Sequence, residues 1–220
     1  MIHFIHADEL VRYPLLGATM FRDRTAQFRD RLSWNVTVDA RGFERDEYDD
    51  ENPIYVIWAL PDGTHGGSMR ILPTTGRTMV NDHFVHLNGG VEIVSPLIWE
   101  CTRFCLSPRL MGGMHAAKPI SAALMLAGCE LGIRFGLTHA VGVFDARMTR
   151  IYRAVGWSPE ILGTEGEGTA SVSTGLWPID AEARAAIAAR SGLAETLAAE
   201  WFELAFGAHP AADPVLYAAE

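Results

Sequence analysis

Cysteine is scarce in this chain: three thiols, Cys101, Cys105 and Cys129, among 220 residues. That is too few for a disulfide framework, so the fold must rest on its core, and a small buried thiol is the expected state of the two that fall in an apolar run. No run of about 18 apolar residues occurs, which argues against a membrane-spanning helix. The N-terminus has no basic segment followed by an apolar core and a cleavage site. A soluble, cytoplasmic protein is the expectation. Positive charge is also short: 18 Lys and Arg against 27 Asp and Glu leave a net charge of −9, which speaks against nucleic acid as a partner, because such binders carry a basic face. An acidic protein partner would need a local basic patch. The eight histidines form neither HExxH nor a clustered Cys/His spacing, and His83-x-x-His86 sits in a polar loop, so no metal centre is implied. With no internal repeat and no low-complexity linker, the chain reads as one domain long enough to bury a substantial core.

What is present alternates between helix and strand signals. Arg12 to Leu32 reads as a bent or broken helix with Leu15, Leu16, Met20 and Phe28 as its apolar positions. An acidic, glycine-containing loop over 35–52 follows. Ile54 to Leu60 is an apolar, β-branched strand closed by the turn Pro61-Asp62-Gly63, and Gly67 to Leu72 is its returning partner, ending at Pro73. Residues 74–95 read as irregular structure around Phe84. Leu97 to Leu106 is the next strand. The pair Gly112-Gly113 precedes an apolar helix from Pro119, acceptable near a first turn, to Phe135. A short strand, Ala140 to Phe144, leads into a helix from Ala146 to Val155 that stops at Gly156. Short strands near 158–162 and 170–177 come next, and Asp180 is a good N-cap for an amphipathic stretch to Phe206, broken at Gly192. This order predicts an α+β fold with a mixed central sheet flanked by helices.

Within the strand Leu97 to Leu106, Glu100 and Arg103 place two charges in an apolar run. Ionised groups taken out of water cost several kcal/mol unless paired. Matching charges lie upstream, Arg24, Asp46, Asp49 and Arg70, interleaved with Phe28, Trp34 and Phe84. Arginine forks suit a carboxylate, aspartates an ammonium or sulfonium, and aromatic rings a planar base or a cation. The same residues also read as an interior ion-pair network beside a solvated acidic run, Glu44 to Glu51.

The spacing Arg24-x3-Phe28-x5-Trp34, Glu44-x-Asp46-x2-Asp49, Arg70-Ile71-Leu72-Pro73-Thr74, Phe84 and Trp99-Glu100-x-x-Arg103-Phe104 closely resembles the acyl-homoserine-lactone synthases, the LuxI-type autoinducer synthases of bacterial quorum sensing. The resemblance covers about residues 1–180 and implies a fold like the GNAT acyltransferases, with 181–220 as a helical extension of the same domain. It also implies the activity: S-adenosylmethionine as amine donor and substrate, an acyl thioester on acyl carrier protein or coenzyme A as acyl donor, and no cofactor. The site residues it implies are Arg24, Phe28, Trp34, Asp46, Asp49, Arg70, Phe84, Thr102, Arg103 and Phe104 for substrate, with Glu100 as the base, acting through a water. Backbone N–H groups from Thr102 to Phe104 would stabilise the oxyanion. An acetyl-coenzyme-A-dependent N-acyltransferase of the GNAT type and a non-catalytic sensor of a small zwitterion are the competing expectations. Release of methylthioadenosine separates all three.

In a regular strand Glu100 and Arg103 would project from opposite faces, so a shared site requires a β-bulge between Glu100 and Phe104. For the acyl chain, Cys101, Met125, Gly142, Phe144 and Met148 are the candidate pocket, and they read equally as plain core. Members of the family that select 3-oxo acyl groups often carry threonine where Gly142 aligns, and glycine has no hydroxyl to hold a keto oxygen. Arg147, Arg150 and Arg153 form a basic stripe along one helix which, with Lys118, could dock an acidic carrier protein or stand as an ordinary solvated face. Arg109-x-x-Gly112-Gly113 faintly echoes a pyrophosphate loop.

Overall fold

The computed structural model describes residues 1–110 and 114–207. Among them, seven strands, β1 (Ile2–His6), β2 (Ile54–Ala59), β3 (His65–Pro73), β4 (Ile98–Leu106), β5 (His139–Asp145), β6 (Glu160–Glu165) and β7 (Val172–Pro178), form one sheet in the order β1-β2-β3-β4-β5-β7-β6. Neighbours are antiparallel except β4 and β5. These two run parallel and pair only from Ile98 opposite His139 to Glu100 opposite Val141, after which they part. The parallel step needs a crossover, and α3 (Met114–Arg134) provides it.

Helices cover both faces. Helix α1 (Pro14–Arg24) lies against β3 and β4 on one side, while α3, α5 (Ala181–Ser191) and α6 (Glu195–Phe206) pack together on the other, with α3 against β1 to β4. The apolar run of β2 follows from this: Ile54 and Val56 point to the α3 side, Tyr55 and Ile57 to the α1 side, so both faces of the strand are core. Likewise α3 is buried on every side from Ala122 to Ala127, which explains why it lacks a polar stripe. Asp180 caps α5 by accepting the Ala183 N–H, and Gly192, at φ 71°, ends it. Asp145 caps α4 (Ala146–Val155) by accepting from Arg147 and Met148.

Four details differ from expectation. β1, unforeseen in the sequence, completes the sheet edge against β2; its pattern of Ile, Phe and His is too short to declare a period. The first helix does not break but widens, continuing from α1 as a π-helix over Thr25–Arg31. Residues 74–95 hold α2 (Met79–His83) and a 3-10 turn, Val85–Asn88, both too short to show periodicity. Helix α3 starts at Met114, so Pro119 lies inside it and not in its first turn. The pair Gly112-Gly113, and 208–220 of the proposed extension, lie outside the described residues. No helix among the described residues is long and apolar enough to cross a membrane.

Candidate active site

Strand β4 changes parity halfway along. Trp99 and Cys101 pack toward the α3 side, and so do Phe104 and Leu106, so two residues rather than one face the other way between Cys101 and Phe104. The register agrees: Thr102 stands opposite Arg70 and Cys105 opposite Ser68, leaving Arg103 and Phe104 against the single residue Met69. This is a β-bulge, and Arg103 takes a φ of 53° to make it, left-handed for a residue with a side chain. The bulge returns Arg103 to the face of Thr102, the irregularity that a shared site requires.

Six charges close a network on that face. Arg24 donates from Nε to Glu44 at 2.5 Å and forks Asp49 at 2.9 and 2.8 Å. Arg70 forks Asp46, one branch at 3.1 Å, approaches Asp49 to 3.0 Å and donates from Nε to the Thr102 hydroxyl at 3.0 Å. Arg103 donates from Nε to the other oxygen of Glu44 at 3.0 Å and reaches Asp46 at 2.5 Å. The Tyr55 hydroxyl donates to Asp49 at 2.7 Å. Three cations thus face three anions. Arg24, Glu44, Asp49 and Arg70 keep no more than 1% of their side-chain surface, whereas Arg103 and Asp46 keep 11% and 12%, so the network meets solvent through these two.

The acidic run therefore divides. Glu44 and Asp49 are buried, while Glu47, Asp50 and Glu51 face solvent. The spacing Asp46-x2-Asp49 folds locally into a capping box: Asp46 accepts the Tyr48 N–H while Asp49 accepts the Asp46 N–H, which fixes both carboxylates before any arginine is considered. Burial opposes the ionisation of Asp49, but Arg24 and Arg70 outweigh it and hold the carboxyl well below its usual range; burial opposes Asp46 in the same way, and Arg70 and Arg103 prevail.

Above the network stands an aromatic wall. The widened π turn presents Phe28, and Ser33, at φ 56°, reverses the chain so that the Trp34 N–H donates to the Phe28 carbonyl at 2.8 Å. The Trp34 indole then stacks on Phe28, 5.2 Å between centroids with planes 5° apart, and the Arg103 guanidinium lies 5.5 Å from the Phe28 centroid. This wall, with Phe84, Thr102 and Arg103, lines one end of a cavity of about 1240 Å³. The cavity passes through the gap where β4 and β5 part, by Cys101 and Phe104, to an apolar end lined by Met125, Gly142, Phe144 and Met148.

Glu100 does not line this cavity. Its buried carboxylate accepts the Met79 and Val80 N–H groups at 3.1 and 2.6 Å, capping α2, a part that the adjacent Thr78 side chain leaves unfilled. Burial pushes its carboxyl up to about 7 against the downward pull of those two N–H groups. Its link to the cavity is Met79, which does line it and whose sulfur lies 3.8 Å from Arg103.

Of the substrate positions expected from sequence, Phe28, Trp34, Phe84, Thr102, Arg103 and Phe104 line the cavity, while Arg24, Asp46, Asp49 and Arg70 lie behind them and hold Arg103 in place. All five acyl-pocket positions line it, as do Lys118, Arg147 and Arg150; Arg153 is exposed on α4 and off the wall. Two further residues went unnoticed as site members. Glu44 bridges Arg24 and Arg103, and its signal was already in the motif Glu44-x-Asp46-x2-Asp49. Tyr152, on the wall from α4, had none.

A mixed sheet that splits between two parallel strands, with a cavity through the split, is a GNAT-like fold. A Lactobacillus plantarum protein described as an N-acetyltransferase shares this fold, with a TM-score of 0.50 at 16% identity over 81% of this chain and 99% of that one. More specifically, the family model described as autoinducer synthase matches residues 10–187. An acyl-homoserine-lactone synthase of Rhizobium etli is 41% identical over 165 residues, 74% of this chain and 77% of its own. Among solved structures, a coenzyme-A-dependent acyl-homoserine lactone synthase with S-adenosylmethionine and isopentyl-CoA superposes with a TM-score of 0.75 at 25% identity, covering 88% of this chain and 90% of that one. The chain belongs to the autoinducer synthase family, and its activity is that of an acyl-homoserine-lactone synthase.

Proposed function

We propose that this enzyme acylates the α-amine of S-adenosylmethionine from a phosphopantetheine-borne thioester, then closes the lactone with loss of methylthioadenosine. The observation that carries this is the continuity of the cavity: a charged, aromatic end and an apolar end meet at the gap between β4 and β5, beside the bulge. The aromatic wall of Phe28 and Trp34 suits the adenosyl and sulfonium end of the amine donor. Arg103 and Asp46, the two charges of the network that reach solvent, suit its carboxylate and ammonium. That the solved relative described as coenzyme-A-dependent was determined with S-adenosylmethionine and isopentyl-CoA supports the same pairing.

In the first step the amine nitrogen attacks the thioester carbonyl carbon, the C–N bond forms and the C–S bond breaks. The amine sheds two protons in all, one leaving with the thiol of the carrier and one passing to base. A free α-amine titrates near pH 8, so only a modest base is needed. Glu100 is assigned that part through a water, in addition to anchoring α2; both roles need its ionised form. N–H groups at the bulge, where ladder pairing is interrupted, are assigned to the oxyanion. In the second step the substrate carboxylate attacks its own γ-carbon and the C–S bond of the sulfonium breaks, releasing neutral methylthioadenosine. Holding the substrate folded on itself is the main requirement there.

The acyl donor is assigned to enter past Lys118, Arg147 and Arg150, exposed cations on the cavity wall of an otherwise acidic chain. Incubation of the protein with S-adenosylmethionine and either acyl-coenzyme A or acyl carrier protein is expected to release methylthioadenosine and an N-acyl lactone, detected by mass spectrometry. Acylated amine without methylthioadenosine would sink the lactone step. Replacing Arg147, Arg150 and Arg153 together by glutamate is expected to raise KM for the carrier protein more than for acyl-coenzyme A; equal kinetics would remove the carrier-docking role of α4.

A further inference from the structure

Gly142 offers no hydroxyl to an oxygen on the acyl chain, and the packing of the cavity shows why a hydroxyl-bearing side chain cannot stand there. A Cβ on Gly142 would lie 2.9 Å from the Cys101 carbonyl oxygen and 3.4 Å from the Trp177 ring. The cavity nevertheless contains a hydroxyl of another origin. Tyr152 projects from α4 into the wall, edge-on to Phe144 at 5.2 Å and to Trp177 at 4.9 Å, both of which also line the cavity.

Of the other hydroxyls on the cavity wall, that of Thr102 accepts from Arg70, that of Ser191 donates to the Ile187 and Ala188 carbonyls, Ser121 is engaged as well, and Thr169 stands at the exposed rim. The Tyr152 hydroxyl has no hydrogen-bond partner among the described residues. A phenol O–H on an otherwise apolar stretch of cavity wall discriminates in favour of a ligand bringing the acceptor. Burial pushes this phenol far above its ordinary range, with the neighbouring Cys101 and Asp145 adding to the effect, so it remains a protonated donor throughout the working pH range. Trp177, in ring contact with Tyr152, also lies 3.4 Å from where a Gly142 Cβ would stand, itself 2.9 Å from the Cys101 carbonyl, which places Tyr152 beside the gap between β4 and β5, toward the carbonyl end of a bound acyl chain. Carbon 3 is where thioesters of fatty-acid elongation carry a keto or hydroxyl oxygen.

We propose that Tyr152 donates a hydrogen bond to an oxygen on carbon 3 of the acyl chain, so that the preferred acyl donors are 3-oxygenated thioesters; this rests on the reaction proposed above. Tyr152→Phe keeps the ring and removes only the donor. The experiment measures kcat/KM, by methylthioadenosine release, for 3-hydroxyacyl, 3-oxoacyl and unsubstituted acyl thioesters of equal length in both proteins. The native enzyme is expected to favour at least one oxygenated donor by about tenfold, and the variant to lose that preference through the oxygenated donor alone, with the unsubstituted one changed by no more than about twofold. The donor that loses more tells keto from hydroxyl. An unchanged ratio in the variant, or a native preference for the unsubstituted chain, overturns the proposal. If no thioester releases methylthioadenosine, the reaction itself is wrong, and calorimetry then decides on Tyr152 alone. Binding of 3-hydroxyacyl and unsubstituted acyl-homoserine lactones should be discriminated by the native protein and not by Tyr152→Phe; equal discrimination in both overturns the assignment.

Discussion

On the α1 side of the sheet, six charges bind one another so completely that each guanidinium and each carboxylate has partners within the protein; on the α3 side, the same cavity is walled by methionine and aromatic carbon, with the Tyr152 hydroxyl among them. The first end is over-determined. Arg103 is held by Glu44 and Asp46, which are held by Arg24 and Arg70, which share Asp49. The second end is defined by shape, and flexible thioether side chains can repack around different occupants. The contrast suits a reaction with one invariant substrate and one that varies between enzymes, because rigidity belongs where the ligand is constant.

The strongest way to break the comparison is to open the network. Asp49→Ala strands Arg24, Arg70 and Tyr55, and should lower the unfolding free energy by about 3–5 kcal/mol, a large share of the total for a domain. Urea denaturation followed by circular dichroism checks this, and a loss of under about 1 kcal/mol would mean that the charges do not constrain one another. Arg103→Lys keeps the charge but not the fork, so kcat/KM for methylthioadenosine release should fall by about 100-fold with the fold intact. An unchanged rate would show that Arg103 serves the bulge and not the substrate.

A third effect is smaller and depends on pH. The Glu100 carboxyl, raised by burial to about 7, is protonated below that value and ionised above it. Since in the proposed mechanism the ionised form that anchors α2 is also the one that accepts a proton, kcat/KM should rise with pH through about 7 and then level, and Glu100→Gln should lose that limb. A profile of the variant that keeps the native inflection would assign the limb to another group. Least of all, Met148→Ala at the apolar end should cost no more than about 1 kcal/mol because the residue is only half-buried, while shifting the preferred acyl length by a few carbons toward longer chains. Competition between thioesters of different length measures it.

Much of this was legible in the residues. Two charges in an apolar strand demanded partners and an irregular backbone: Arg103 finds Glu44 and Asp46 at the bulge, whereas Glu100 is met by the Met79 and Val80 N–H groups and by no arginine. Apolar runs, turn residues and caps located β2 to β5, α4 and α5 because those signals are local. The remainder was hidden for identifiable reasons. β1 and α2 are shorter than the period that would reveal them. The division of the acidic run into buried Glu44 and Asp49 and exposed Glu47, Asp50 and Glu51 follows from a capping turn and from arginines about 20 or more residues away, which composition cannot register.

The sequence by itself determined the family, through a spacing of arginines, carboxylates and aromatic residues, and the class of fold, through the order of its elements. Tertiary structure alone decided which of those residues touch the cavity: Arg103 and not Arg24 or Arg70, Met79 in place of Glu100, Tyr152 in place of a hydroxyl at position 142. The physical reason is that the direction of a side chain depends on one extra residue in β4 and on helices packed from distant parts of the chain, and such contacts exist only once the sheet has closed around them.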